Sequence, residues 1–214
     1  MKRLACILLL LTSVAVSAQQ TRSLVGAWQT DTADGRMVMI CSEKIFSVGV
    51  YDKATGAFKG TCGGTYKVDG DQFIEKHEFN TMKPDMIGKE VKSGVELQGS
   101  QIVFNEPDGK QEWKRLDDGK PGALAGAWLI TGRLNGNEMS KLTPGERRTM
   151  KILSGTKFQW IAYNVDTKEF FGTGGGSYTT ENGKYVETIE FFSRDNSRVG
   201  KSLSFEFSID ENGN

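Results

Sequence analysis

In 214 residues the chain has a single histidine, His77, and only three cysteines. A histidine-based triad or zinc site therefore has one anchor at most, and no cysteine or histidine cluster supports metal binding. Excess charge is also missing. Twenty-seven Lys and Arg balance 27 Asp and Glu, with no basic run or stripe, which excludes the electrostatic footprint of a nucleic-acid binder. Beyond Val16 no stretch is apolar for the ~20 residues that a spanning helix needs, so no membrane span is expected in the remainder. Helical periodicity is nearly absent too.

What is present begins with an export signal. Lys2 and Arg3 precede an apolar core from Leu4 to Val16, and Val16-Ser17-Ala18 closes it as a small-residue cleavage pattern. The expectation is a cleavable signal peptide over residues 1–18, cut after Ala18, and a secreted or periplasmic mature protein. Cys6 does not follow the apolar core, where a lipidated cysteine would have to stand at the cleavage point, which argues against lipidation. Loss of Lys2 and Arg3 leaves a weakly acidic mature chain whose cysteines are Cys41 and Cys62.

Self-comparison organises the rest. Leu24-Val25-Gly26-Ala27-Trp28 recurs as Leu124-Ala125-Gly126-Ala127-Trp128. Further on, one constant offset matches Ile40 to Ile152, Phe46 to Phe158, Tyr51 to Tyr163, Phe58 to Phe170, Tyr66 to Tyr178, Glu75 to Glu187, Glu78 to Glu190, Phe79 to Phe191 and Lys89 to Lys201. The chain reads as a tandem repeat: domain 1 over 24–116, a turn-rich linker over 117–123 and domain 2 over 124–214.

In the first copy, strands are expected near 24–30, 37–42, 44–51, 58–67, 72–80, 86–97, 101–105 and 110–116, joined by turn formers such as Asp69-Gly70-Asp71 and Pro107-Asp108-Gly109. About eight hairpin-linked strands fit an all-β, antiparallel up-and-down barrel. An immunoglobulin-like sandwich fits strand count and spacing as well. In the second copy Val199, Leu203, Phe205, Phe207 and Ile209 alternate with polar residues as a half-buried strand. Counterparts of Ile102-Val103-Phe104 and Glu112-Trp113-Lys114-Arg115 are missing, so the second barrel is expected to lack its last strands. Either the sequence is a fragment or that domain is natively open. An insertion in the second copy, around Leu142-Thr143-Pro144-Gly145-Glu146, carries helix-start chemistry and predicts one short helical turn.

Gly26-x-Trp28 and Gly126-x-Trp128 on the first strands, with Arg115 on the last strand of copy one, resemble the G-x-W and closing arginine of lipocalin and wider calycin barrels. The resemblance implies a structural, barrel-closing role for Trp28, Arg115 and Trp128, with a cation over an indole face. The chain as a whole is similar to a group of secreted lipocalin-like proteins of Bacteroidetes, through the G-x-W start, the G-G-[TS]-Y strand, the [FY]-[IV]-E strand and the E-W-K-R end. That likeness implies a fold rather than a function; lipocalin-type barrels generally bind small apolar molecules.

The candidate ligand-binding set is Phe46, Tyr66, Glu75 and Lys89 in copy one and Phe158, Trp160, Tyr178, Glu187 and Lys201 in copy two. The aromatics, with Phe79, Phe191 and Phe205, are expected to fill or line the interiors, the Glu–Lys pairs to face each other across adjacent strands, and the tyrosines to add a hydroxyl. The glycine strands Gly60–Gly64 and Gly172–Gly176 lack the following helix of a phosphate cradle. If Tyr51 pairs with Phe58, Cys62 lies opposite Ser47 and two ladder steps, about 9.6 Å, separate it from the Cys41 strand, which argues for free thiols. No metal or cofactor is expected. The leading reading is a non-enzymatic binder of a small apolar molecule in a barrel interior. The competing reading is a structural or protein-interaction module of the envelope with solidly packed barrels, and an internal void above a few hundred Å3 would separate them. An enzyme would need His77 in a cleft beside Glu75 or another acid. Oligomeric state is not legible.

Overall fold

The computed structural model describes residues 23–107, 109–117, 122–136 and 138–211. The expected signal peptide lies outside the described residues, as do residues 118–121 of the linker. The first unit is a closed barrel of eight antiparallel strands in sequence order: β1 Gly26–Thr32, β2 Gly35–Cys41, β3 Ile45–Tyr51, β4 Phe58–Asp69, β5 Gln72–Asn80, β6 Glu90–Gln98, β7 Gln101–Glu106 and β8 Gly109–Arg115. Closure rests on two residue pairs, Trp28 with Arg115 and Gln29 with Lys114. No described helix is long and apolar enough to cross a membrane.

The second group of strands does not close. It forms a six-stranded sheet in the order β16-β15-β14-β13-β12-β9, from β9 Gly126–Leu129, β12 Arg147–Leu153, β13 Lys157–Asn164, β14 Phe170–Glu181, β15 Lys184–Phe192 and β16 Ser202–Glu206. A ribbon of β10 Gly132–Asn135 and β11 Glu138–Lys141 stands apart. The second unit, expected to lack its last strands, is an open sheet over the described residues. The pairing of β12–β16 repeats that of β2–β6, and the first sheet's register shifts at Val50/Tyr51 and Gly63/Gly64 recur at Ala162/Tyr163 and Gly175/Gly176. A Cβ at Gly64 would lie 2.1 Å from the Lys76 carbonyl oxygen, and one at Gly176 2.0 Å from that of Thr188. Only glycine lets the neighbouring backbone approach this closely.

Two other expectations change. The insertion forms the β10–β11 ribbon, and 142–146 runs on without helix. The alternation of β16 does not bury its apolar side either. Leu203, Phe205 and Ile209 are 38 %, 46 % and 42 % exposed because β16 is an edge strand with no described strand beyond it.

Met37-Val38-Met39-Ile40-Cys41 and Phe46 to Tyr51 are nearly continuous apolar runs because β2 and β3 are covered on both faces. One set, with Met39, Phe46, Val48, Phe73 and Phe104, fills the barrel. The other faces the second sheet, where Ala27, Ile40 and Phe79 pack against Met150, Ile152, Ile161 and Tyr163.

This contact is reciprocal. Tyr51 stacks on Phe191 with ring centres 4.9 Å apart and donates to Glu190 Oε2 at 2.9 Å. Its counterpart Tyr163 packs on Phe79, also at 4.9 Å, and donates to Glu78 Oε2 at 2.6 Å. Phe58 stacks on its own counterpart Phe170 at 6.2 Å. Between these pairs Gln159 donates to the matched hydroxyls of Thr61 and Thr173 at 2.8 and 3.0 Å. Residue i of one unit meeting j of the other, while the counterpart of i meets the counterpart of j, is the pattern of a two-fold isologous interface.

Candidate functional site

Three spaces compete as sites. The first lies inside the barrel, a cavity of about 110 Å3 walled by Phe46, Phe73, Phe104 and Trp113 with Met37 and Met39, and reaching the surface beside exposed Glu106. The aromatic wall is built edge to face, with Phe46–Phe73 at 5.8 Å, Phe73–Phe104 at 5.2 Å and Phe104–Trp113 at 6.5 Å. The second, about 460 Å3, is a cleft between the units framed by Val25 and Gly26, by Ala125, Gly126 and Ala127, and by the Ser42–Lys44 and Leu153–Gly155 turns. Main chain and small side chains dominate it, and no aromatic wall fixes a ligand. The third is the uncovered face of the second sheet, where Phe158, Tyr178, Tyr185 and Ile189 pack with half-buried Trp128, Trp160 and Phe192.

Inside the barrel, β5 sends Phe73, Glu75 and His77 inward by simple alternation. The register shift beside Gly64 then reverses the parity, so Phe79 turns outward. Asn80 Oδ1 accepts from the backbone N–H groups of Met82 and Lys83 at 3.0 and 2.7 Å, which makes Nδ2 its donor. Nδ2 lies 2.8 Å from His77 Nδ1, so that ring nitrogen accepts and the proton belongs on Nε2. Nε2 lies 3.1 Å from Glu75 Oε1 but out of line for a hydrogen bond. The juxtaposition that an enzyme would require is therefore present. The thiols of Cys41 and Cys62 are poor nucleophiles, because burial, reinforced by Glu75, pushes them far above the ordinary range and keeps them protonated. Both cysteines are free. The shift at Val50/Tyr51 puts Cys62 opposite Val48 rather than Ser47. Among the described residues no three His, Cys, Asp or Glu side chains come together to hold a metal.

At the closed end Arg115 lies over the Trp28 ring at 3.9 Å and donates to the Val25 carbonyl at 3.0 Å, while Trp28 Nε1 donates to the Leu24 carbonyl at 2.8 Å. A Cβ at Gly26 would meet the Arg115 guanidinium at 2.6 Å, the steric reason for glycine two residues before this tryptophan. Trp128 keeps the matching bond to the Leu124 carbonyl at 2.9 Å but has no arginine over it among the described residues and is half-buried.

Of the residues singled out in copy one, Phe46 and Glu75 border the cavity. Tyr66 does not offer its hydroxyl to it, since that group donates to the Ser42 carbonyl at 2.6 Å. Tyr178 likewise donates to Ser154 at 2.6 Å. Lys89 and Lys201 are exposed and face neither glutamate, because Glu75 pairs with Val91 and Glu187 with Leu203, two positions further along. Lys89 instead lies 3.6 Å from Asp85. Phe79 and Phe191 belong to the contact between units, Phe205 is exposed, and Trp160 packs on Phe192 at 5.5 Å. Glu187 is paired with Lys151, whose ammonium lies 5.4 Å from the Phe158 ring centre and 5.0 Å from that of Tyr185. Lys151 was missed, although a lysine standing where copy one has Met39 was a visible signal.

No protein family matches the chain, and no curated protein does. Among solved structures, a lipocalin-like protein from Bacteroides uniformis ATCC 8492 is similar at 18% identity and a TM-score of 0.34, covering 44% of this chain and 98% of that one. The architecture stated above is read from the chain's own strand pairing.

Proposed function

We propose that the protein is an exported, non-enzymatic, lipocalin-like binding protein built from two related units, in which the closed barrel takes a small guest at its mouth. The observation that carries this reading is the aromatic-walled cavity beside Glu75 within a closed eight-stranded barrel. Its size limits the guest. About 110 Å3 falls below the few hundred Å3 typical of ligand pockets, and a cavity of about 150 Å3 is what holds benzene. The apolar ligand is therefore a fragment of few atoms. Tandem duplication is supported by the repeated register shifts and the reciprocal contact between units. Export rests on the N-terminal pattern alone.

The test is native mass spectrometry of the full-length protein purified from its host, with tryptophan fluorescence on adding small volatile ligands. A co-purifying or titratable small molecule, lost when Phe104→Trp fills the cavity, is the expected result. A second reading, a packed interaction module, is favoured by the outer face of β2–β5, which is already used to hold the second sheet. It would prevail if no ligand is retained and none binds.

A further inference from the structure

The two units solve the same internal problem differently, and the difference names a ligand. In unit two, Lys151 sends its ammonium between the Phe158 and Tyr185 rings and onto the Glu187 carboxylate. This is a cation held by a carboxylate and two aromatic faces. The counterparts in unit one are Phe46, Phe73 and Glu75, with Met39 where the lysine would stand. The carboxylate and rings are kept, the cation is absent, and these four residues all border the 110 Å3 cavity.

From this geometry we infer that the barrel cavity binds a small primary alkylammonium ion, seated with its ammonium on Glu75 and its alkyl stem against the wall that Phe46 and Phe73 form. The inference rests on the barrel being a binding unit and specifies its ligand class. Charge agrees with it. The side chains bordering the cavity include two carboxylates, Glu75 and Glu106, and no lysine or arginine. Glu106 stands exposed at the surface end, where it draws a cation in, and Glu75 waits inside with its side chain 20% exposed. His77 meets Glu75 through Oε1, which leaves Oε2 as an acceptor toward the cavity. Asn80 fixes the imidazole so that its protonated Nε2 lies beside the carboxylate. Met37 and Met39 supply a flexible, polarisable wall for an alkyl chain of variable length.

The experiment uses full-length protein in low-salt buffer at pH 8 and compares n-propylammonium chloride with its neutral isostere 1-propanol. Calorimetry gives affinity, and methyl-labelled methionine spectra give location through Met37 and Met39. The expected result is propylammonium binding at least tenfold tighter than propanol, with both methionine methyls shifted. Glu75→Gln should lose that preference while retaining propanol. Met39→Lys should abolish ammonium binding by supplying the protein's own cation, as unit two does, and its retained circular-dichroism spectrum would show that the fold survives. Equal or tighter binding of propanol overturns the ammonium assignment but leaves the barrel a binding unit. Absence of binding by either probe overturns both.

Discussion

The closed barrel and the open sheet share a strand plan and part where the chain must seal itself. In the barrel, Trp28 is fully buried beneath Arg115, and β7 and β8 complete the wall. In the second unit Trp128 keeps its bond to the chain four residues back, yet among the described residues no strand follows β16 and no cation covers the indole. The lesson is that the G-x-W start positions a tryptophan but does not close a barrel. Closure comes from β8, which pairs with β1 and brings Arg115 back over Trp28.

Replacing each tryptophan separates the two situations most strongly. Trp28→Ala removes a fully buried indole and the partner of Arg115, and is expected to cost about 4 kcal/mol. Trp128→Ala, from a half-buried site, should cost about half that; urea denaturation of both variants compares them, and equal losses would erase the distinction. Next comes the contact that joins the units. Phe79→Ala empties a site 2% exposed against Tyr163 and should cost about 3 kcal/mol, with faster proteolysis across residues 117–123 as the sign of undocking.

Converting unit two toward unit one is a finer test. Lys151→Met leaves Glu187, whose side chain is 6% exposed, without its partner. A loss of about 2 kcal/mol is expected, less than for a fully buried pair because the lysine side chain is 35% exposed. A neutral outcome would mean that the pair does not stabilise the open sheet.

The smallest effect is alkaline. Burial raises the Tyr178 hydroxyl to about 12, and burial raises its counterpart Tyr66 further still. A tyrosine whose pKa is raised by folding gives stability that is fully present below its unfolded value near 10 and is lost as pH climbs through the folded value. Stability should thus hold to about pH 10 and decline above it. Ultraviolet titration should find Tyr178 ionising before Tyr66, an order that Tyr178→Phe and Tyr66→Phe assign; the reverse order would contradict the larger upward shift of Tyr66.

Much of the first unit was legible because its strands are bounded by turn residues and residues recurring at one constant offset mark which positions repeat. The strands from 58, 72 and 101 begin where turn chemistry places them. Face assignment was less legible. Alternation puts Phe79 inside with His77, but one extra residue in β5 reverses the parity, and a bulge leaves little trace in a strand of this composition. The same kind of shift moved Cys62 from Ser47 to Val48. Register at the β5–β6 turn was misjudged by two residues, which dissolved the expected Glu75–Lys89 and Glu187–Lys201 pairs. Within the candidate site, Phe46 and Glu75 were readable from repetition and polarity. The orienting role of Asn80 was not, because its partners are backbone groups of the following turn.

The reciprocal contact has a consequence for how such a chain can change. In a dimer of separate identical chains, every substitution near the axis arrives twice, once on each side. A covalent tandem frees each side to vary alone, and the linker holds the pair at an effective concentration in the millimolar range whatever the dilution. Ser47 and Gln159 occupy matched positions beside that axis, and the glutamine spans both threonine hydroxyls while the serine stays small. Two glutamines would crowd the axis and two serines would leave it empty. Covalent linkage is what allows one of each.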